Sequence, residues 1–180
     1  PIHVITKSAI VTRDADILQD IARTYAAVSF TITTSDDRLS GKIEPNAPAS
    51  SLRFKAMEHL AAKGIYTGVT LMPVLPFIND TVANIETILQ QAKDHGASYI
   101  LPMFGTTLRK GSRDYFYAAL DKEFPGLKQQ YQSRFGNQYE CFSPAYKELH
   151  YAFRNLTHKL GLTSKMNFYT PAGYTQLSMF

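Results

Sequence analysis

The fold is decided by residues 65–104, IYTGVTLMPVLPFINDTVANIETILQQAKDHGASYILPMF. The stretch opens on a β-branched, apolar run, 65–76, which predicts a buried strand that Pro73 and Pro76 bring to an end. A helix is predicted next, with Asp80 as its N-cap and Gly96 after its last turn. Its apolar stripe consists of Val82, Ile85, Ile88, Leu89 and Ala92. Because a second apolar run follows at 97–104, the stretch predicts two parallel strands joined by a crossover helix.

The same alternation extends toward the N-terminus. IHVIT (2–6) and VSFTITT (28–34) predict two further buried strands. Two more helices are predicted, one capped by Asp14 or Asp16 and one running from Ser50 or Ser51 to Gly64, with 35–50 as loop. Their expected inward residues are Ile17, Leu18, Ile21, Tyr25, Leu52, Met57, Leu60 and Ala61. Four strands at roughly 30-residue spacing predict an α/β fold, either a parallel sheet or a barrel segment.

The pattern changes after residue 105. A helix is predicted from Ser112 to residue 124, with Tyr115, Leu120 and Phe124 as core candidates, and Pro125-Gly126 ends it. A short helix over 127–136 follows, and a longer one over 143–161 has Ser143 as its predicted N-cap. The sequence therefore predicts three parts: 1–105 as four βα units, 106–162 as a helical C-terminal extension, and 163–180 as an irregular tail.

Composition narrows the class of protein. The chain has 180 residues, 44% of them hydrophobic, and one cysteine, which excludes an internal disulfide and a thiolate cluster supplied by this chain alone. A single cysteine favours a reducing compartment, so we expect a cytoplasmic protein. No apolar run is long enough for a membrane span, and the N-terminus does not resemble a signal peptide. The chain begins at Pro1, directly before a predicted strand, so we expect it to be a piece of a longer protein.

Charge and aromatic residues are unevenly distributed. Residues 1–103 hold nine basic and ten acidic residues, whereas 104–180 hold ten basic and five acidic residues. Six of the 22 aromatic residues precede residue 104. A basic, aromatic-rich half is one alternative for function, a non-enzymatic nucleic-acid-binding module, although it contains no recognisable nucleic-acid motif. The simpler interpretation is a small aromatic core with a solvated charged face.

Candidate ligand-binding residues follow the predicted strands, because ligands of parallel α/β folds bind outside the carboxyl ends of strands. These positions are Thr6-Lys7-Ser8, the group Thr31, Thr33 and Thr34, Leu71–Pro76, and Met103–Gly105. Lys7 can reach a carboxylate or phosphate held over the barrel mouth, or it can extend to water. A second alternative for function is a βα-barrel lyase or isomerase that uses Lys7 as a Schiff-base or phosphate-binding residue.

Other familiar chemistry has no support in the sequence. The five histidines show no metal-ligand spacing, and no Gly-rich phosphate loop or nucleophile elbow is present. Cys141 is expected to be a buried small hydrophobe rather than a reactive thiol. We therefore predict no catalytic residue and no metal ligand within this chain.

Three segments resemble one family when they are taken together. They contain Thr6-Lys7-Ser8 with Arg13-Asp14; Thr31-Ile32-Thr33-Thr34 with Glu44-Pro45, Pro48 and Arg53; and Lys63-Gly64-Ile65 with Pro73, Pro76 and Asn79-Asp80. In this order they are similar to the spore photoproduct lyase-like branch of the radical SAM superfamily, whose members are also described as DNA-repair-photolyase-like. The resemblance covers residues 2–160, and three weak motifs in register are more specific than any one alone.

The resemblance implies a fold and cofactors. It implies a partial (β/α)6 TIM-like barrel, S-adenosylmethionine (SAM), and a [4Fe–4S] cluster held by a CxxxCxxC segment, which together generate a hydrogen-abstracting radical. Lys7 matches the lysine that contacts the SAM carboxylate, Thr31 takes the place of a serine that contacts SAM, and the Met72 backbone matches a position beside the adenosyl group. Thr33, on the same predicted strand end, joins these three as a cofactor-binding candidate. Glu44, Pro45, Arg53, Asn79 and Asp80 match architectural positions.

The sequence departs from the family at the cluster. Three nearby thiolates are required, and the chain has only Cys141, far downstream. We therefore expect the last four strands of the barrel, in a fragment of a radical SAM enzyme of unknown substrate that is inactive alone and binds no cofactor by itself. The edge of strand 2–6 is then unpaired, and we expect it to support self-association.

Overall fold

Four parallel strands form the central sheet of the computed structural model, which describes residues 1–171. The strands are β1 (Ile2–Thr6), β2 (Ala26–Thr31), β3 (Tyr66–Leu71) and β4 (Tyr99–Pro102), adjacent in that order. Every neighbouring pair is parallel, with Ile2 opposite Ala26, Ala27 opposite Tyr66 and Gly68 opposite Tyr99. The α/β class and the four parallel βα units predicted from the sequence are confirmed, and the arrangement is consistent with part of a TIM-like barrel.

Helices cover the outer face of the sheet. These are α1 (Ala15–Ala22), α3 (Ser50–Ala62) and α4 (Val82–Asp94), and a 3-10 turn at Ala9–Asp14 precedes α1. A shorter helix, α2 (Asp37–Ile43), precedes α3 and contacts it. The outward side chains of the strands pack on them in the main core, whose members include Val28, Phe30, Val69, Leu71, Ile100, Phe54, Met57, Leu60, Ile85, Ile88 and Leu89. The last helix, α7 (Tyr146–Leu160), adds Leu149 and Phe153 to the same core. Helix α7 therefore packs with the βα units.

A buried tyrosine, Tyr99, lies on the inner face of the sheet. The Tyr99 ring lies over Gly68 of the neighbouring strand, where an added Cβ would come within 2.4 Å of the ring. Its hydroxyl is 2.7 Å from Ser29 Oγ, and Ser29 Oγ is 2.8 Å from His3 Nε2. Burial raises the pKa of Tyr99 to about 12, so this phenol stays protonated at neutral pH. Met166, from the chain after α7, packs against the same cluster and closes the amino-terminal end of the inner face.

Residues 105–142 build a second, smaller unit. Strands β5 (Gly105–Thr107) and β6 (Glu140–Phe142) form an antiparallel pair that the sequence analysis did not predict. Helices α5 (Ser112–Glu123) and α6 (Leu127–Phe135) lie between them in the chain. Their core consists of Leu108, Tyr117, Leu120, Tyr131, Phe135 and Cys141. Cys141 is fully buried as predicted, and burial raises the pKa of its thiol.

Several local predictions were wrong. Residues 35–50, predicted as loop, contain helix α2, because the Asp36 side chain accepts hydrogen bonds from the backbone amides of Arg38 and Leu39. Thr81 rather than Asp80 caps α4 and accepts from the Asn84 amide. Helix α7 begins at Tyr146, three residues after the predicted cap. Three predicted core residues are largely exposed: Ile17, Leu52 and Tyr115.

The two edges of the sheet differ. Beyond β4, the Ile100 amide donates to the Thr163 carbonyl, and the Thr163 amide donates to the Ser98 carbonyl. Within residues 1–171, β1 has a strand partner on one side only, and Ile5 is 61% exposed there. Self-association through β1 stays a prediction. Of the predicted tail, 163–171 contain no helix, and 172–180 lie outside the described residues.

No helix among residues 1–171 is long and apolar enough to cross a membrane.

Asp80 has a different role from the predicted cap. Its Oδ2 accepts a 2.6 Å hydrogen bond from the Ser143 hydroxyl, which ties the loop after β3 to the segment before α7. Burial raises the pKa of Asp80, and the hydrogen bond from Ser143 opposes that shift. The folded protein therefore disfavours the ionised carboxylate relative to the unfolded chain.

We expect Asp80→Asn to gain stability relative to the wild type as the pH rises. Below the unfolded pKa of about 4, both states of the wild type are protonated and Asp80 carries no penalty. As the pH rises through the raised folded pKa, the wild type loses the stability that the neutral variant keeps. Urea unfolding at several pH values measures the difference. Ser143→Ala, which removes the opposing hydrogen bond, is expected to steepen the loss, and a variant-to-wild-type difference that is constant with pH would contradict this.

Candidate functional site

The carboxyl ends of β1, β2 and β3 bring the predicted site residues to one edge of the sheet. Lys7 follows β1, Thr31 is the last residue of β2, and Met72 follows β3. The Thr31 hydroxyl is 2.8 Å from the Thr70 hydroxyl on the neighbouring strand, and both residues are buried. Their side chains point to the inner face, because the alternate residues Phe30, Val69 and Leu71 belong to the outer core.

Three charged side chains near this edge are linked by ion pairs: Lys7, Glu44 and Arg53. Lys7 Nζ is 3.6 Å from one oxygen of Glu44, and Arg53 Nη1 is 2.5 Å from the other. The Lys7 side chain is 44% exposed, Glu44 is 11% exposed, and Arg53 is fully buried. Arg53 also donates to the carbonyls of Thr31 and Pro48, each at 2.8 Å. Glu44 therefore holds the exposed lysine beside the end of β2, and Arg53 holds Glu44.

Thr33 has a buried hydroxyl that lacks a hydrogen-bond partner among residues 1–171. Its carbonyl accepts from Asn79 Nδ2 at 2.6 Å and from Asn84 Nδ2 at 3.1 Å. Asn79 Oδ1 in turn accepts from the Leu75 amide. The loops after β2 and β3 are thus tied together through Asn79, which fixes the backbone of Thr33.

Thr33 is one of the residues that line a cavity of about 270 Å3 at the strand ends. Its polar lining comprises Thr33, Glu44, Thr106, Thr107 and Ser112. Pro73, directly after Met72, also lines it, whereas Lys7 is connected to it only through Glu44. The cavity therefore joins the ends of β2 and β3 to the β5 hairpin.

Sequence reasoning found part of this arrangement. The structure brings Thr33 and Pro73, the residue after Met72, to the cavity, and it connects Lys7 to the cavity through Glu44. Thr31 is not among the lining residues, and its carbonyl accepts from Arg53. The sequence analysis missed Thr106, Thr107 and Ser112 as cavity residues. Their signal was available, because three hydroxyl side chains follow the predicted fourth strand closely.

The described residues do not fit an iron–sulfur cluster. No group of three or more His, Cys, Asp or Glu side chains within residues 1–171 is arranged to hold a metal ion. The sequence has one cysteine, Cys141, and it is buried. The polar residues that line the strand-end cavity fit a polar organic ligand instead.

The fold of this chain is similar to that of structures already solved. Three solved structures match with a TM-score of 0.57 over 89% of this chain and 49% of theirs. They are structures of spore photoproduct lyase: one complexed with dinucleoside spore photoproduct, 16% identical, and two variants, 15% and 14% identical. The variant that is 15% identical has bound AdoMet as well as dinucleoside spore photoproduct. At these identities the likeness shows the fold.

Sequence relatives come from bacteria and a virus. Uncharacterized proteins of Mycobacterium tuberculosis and Mycobacterium bovis are 25% identical over 150 residues, which is 83% of this chain and 44% of theirs. An uncharacterized protein of Acidianus two-tailed virus is 25% identical over 115 residues, 62% of this chain and 37% of the viral protein. The chain thus spans less than half the length of these relatives. No established family profile matches the sequence.

Proposed function

We propose that this chain is the SAM-binding part of a radical SAM enzyme. The observation that carries the proposal is the buried, unpartnered Thr33 hydroxyl at the strand-end cavity. A buried polar atom without a partner costs free energy, and a bound polar ligand removes that cost. The position is the one at which parallel α/β folds bind their ligands, and a variant of spore photoproduct lyase with the same fold has bound AdoMet.

Each candidate residue has a role under this proposal. Lys7 is half-exposed and paired with Glu44 at 3.6 Å, so its ammonium can turn to the SAM carboxylate without leaving a buried charge behind. Thr31 would offer its hydroxyl to SAM at the end of β2, Thr33 would contact SAM at the cavity that it lines, and the Met72 backbone would contact the adenosyl group. Glu44 and Arg53 position Lys7 and the Thr31 carbonyl.

The cluster is the second part of the proposal. Since Cys141 is the single cysteine of this sequence and is buried, the cluster thiolates come from outside this chain. When both are bound, SAM and the cluster supply one-electron chemistry that abstracts a hydrogen atom from substrate. Under this proposal the 180-residue chain alone is inactive. Neither alternative function has an observation that favours it over this proposal, and no nucleic-acid motif is present in the basic half.

The proposal is tested on the full-length gene product, expressed without oxygen and loaded with iron and sulfide. We expect 5′-deoxyadenosine to form from SAM on reduction. Thr33→Val is expected to weaken SAM binding, measured by equilibrium dialysis, by about tenfold. The same variant without ligand is expected to be about 1 kcal/mol more stable than the wild type, because it loses an unpaired buried hydroxyl.

Thr87→Val is the matched control. The Thr87 hydroxyl is exposed on α4 and bonds to its own helix, at the Ala83 carbonyl, so SAM binding should not change. Absence of 5′-deoxyadenosine from the cluster-loaded protein, or equal SAM binding by Thr33→Val and the wild type, would overturn the proposal.

A further inference from the structure

A second, larger cavity adjoins the strand-end cavity. It has a volume of about 460 Å3 and lies between the C-terminal end of α2 and one face of α5. Ile43, Leu75 and Phe116 line both cavities, so the larger one leads toward Thr33. Its volume lies within the range of about 300–1,000 Å3 that is typical of small-molecule sites.

The walls of this larger cavity are mainly apolar. Besides the shared residues, Pro45, Ile78 and Phe124 contribute hydrocarbon surface, and Ala119 of α5 leaves space where a larger side chain would fill the cavity. An apolar cavity of this size is stabilised when an apolar group displaces its water. The walls therefore select a ligand with a substantial hydrocarbon or aromatic body.

The rim of the cavity carries positive charge. Lys42 Nζ lies 5.7 Å from the centre of the Phe124 ring, which holds the ammonium beside the cavity. Lys42 forms no ion pair with any of residues 1–171, whereas the second lysine at the rim, Lys122, is paired with Glu123 at 3.2 Å. An uncompensated ammonium beside an apolar cavity complements a single negative group on an apolar body.

We infer that this larger cavity binds a small organic anion: an aromatic or branched hydrocarbon body in the cavity and one carboxylate, sulfonate or phosphate group at Lys42. The assignment of this ligand as the substrate rests on the proposed function. It follows because Ile43, Leu75 and Phe116 line both this cavity and the strand-end cavity that Thr33 lines. The binding site itself stands on the cavity, its walls and Lys42.

The 180-residue chain and two dyes test the inference directly. Anilinonaphthalene sulfonate has an aromatic body and one negative group, and phenylnaphthylamine has the same rings without the sulfonate. We expect the sulfonate to bind one to one by calorimetry, and the neutral dye to bind more weakly. Ala119→Trp, which fills the cavity, is expected to weaken sulfonate binding by at least about tenfold. Lys42→Gln is expected to weaken it by about two- to fivefold, and to leave the neutral dye unaffected.

Matched substitutions outside the cavity are the controls. One control is Ala83→Trp, on the exposed face of α4, and the other is Lys55→Gln, on the exposed face of α3. Both variants should bind the two dyes as the wild type does. Circular dichroism shows whether each variant is folded, since such dyes also bind loosened cores. Equal binding of the two dyes, or sulfonate binding that survives Ala119→Trp in a folded protein, would overturn the inference.

The experiments distinguish failure of the SAM proposal from failure of the anion site. Sulfonate binding as expected, with no 5′-deoxyadenosine from the cluster-loaded gene product, would leave the anion site standing and remove its role as a substrate site. Formation of 5′-deoxyadenosine without sulfonate binding would remove the anion site and leave the SAM proposal standing.

Discussion

Arg53→Met is expected to destabilise the protein by about 3–5 kcal/mol, the cost of removing one partner of a buried ion pair. The substitution leaves Glu44, which is 11% exposed, without its 2.5 Å partner. It also removes the donor to the Thr31 and Pro48 carbonyls. Methionine keeps much of the arginine volume, so the loss reports hydrogen bonds and charge rather than a cavity. Urea unfolding followed by circular dichroism measures the free energy of unfolding.

Two further variants separate the buried pair from general effects of removing an arginine. Arg23→Met removes a surface arginine that is 83% exposed and paired with Asp20, and it should cost less than about 1 kcal/mol. Adding Glu44→Gln to Arg53→Met should recover part of the loss, since the carboxylate that then has only the half-exposed Lys7 as a partner is removed. If the free energy of unfolding of Arg53→Met lies within about 1 kcal/mol of the wild-type value, the bonds from Arg53 to Glu44 and to the Thr31 and Pro48 carbonyls do not stabilise the fold as predicted.

Gly68→Ala is expected to cost about 1–3 kcal/mol or more, because its Cβ would overlap the Tyr99 ring. The three nearest ring atoms lie 2.4–2.6 Å from the Cβ position, so the ring has to move. Movement of the ring also breaks the hydrogen bond between the Tyr99 and Ser29 hydroxyls. Thermal and urea unfolding measure the loss, and the near-ultraviolet circular dichroism of the tyrosines should change with it.

Gly41→Ala is the matched control for this substitution. Gly41 lies within α2 with no atom within 4 Å of its added Cβ, so alanine should be neutral or stabilise the helix by about 0.5–1 kcal/mol. Gly68→Ala/Tyr99→Leu should be more stable than Gly68→Ala if the clash is the cause. Wild-type stability in Gly68→Ala would mean that the ring does not occupy the space over β3.

The sheet was predictable because its signals are local. The β-branched runs ending at Thr6, Thr34, Pro76 and Phe104 each mark a strand. The predicted inward residues of α4, Ile85, Ile88, Leu89 and Ala92, are all buried. Features that depend on distant partners were not predictable. Strands β5 and β6 have three residues each and pair across about 30 intervening residues, so no local periodicity marks them. Asp80 has the residue type of a helix cap, but its partner is Ser143, 63 positions away.

The candidate site divides in the same way. The rule that ligands bind at the carboxyl ends of parallel strands selected the stretches that contain Lys7, Thr31, Thr33 and Met72. The resemblance to a known family then singled out Lys7, Thr31 and Met72 within them. The rule could not show that Arg53, on helix α3, bonds to the Thr31 carbonyl and to Glu44. These partners are 22 and 9 positions away, and sequence spacing does not reveal that the long arginine side chain reaches both. Nor could it show that the Thr33 hydroxyl has no partner, because that depends on all neighbouring loops.

The bond between Thr163 and Ile100 has a consequence for how sheets of this chain can extend. The Ile100 amide on the outer side of β4 is already bonded, and Pro102, whose amide would face the same way, has no N–H. On β1 the Ile2 amide donates to the carbonyl of Tyr25, the residue before β2, so the alternate amides of His3 and Ile5 face away from β2. Among residues 1–171, the β4 edge is therefore capped and the β1 edge has no strand partner. Two copies that met through β1 would consume both open edges, and the assembly would end as a closed pair rather than grow into a filament.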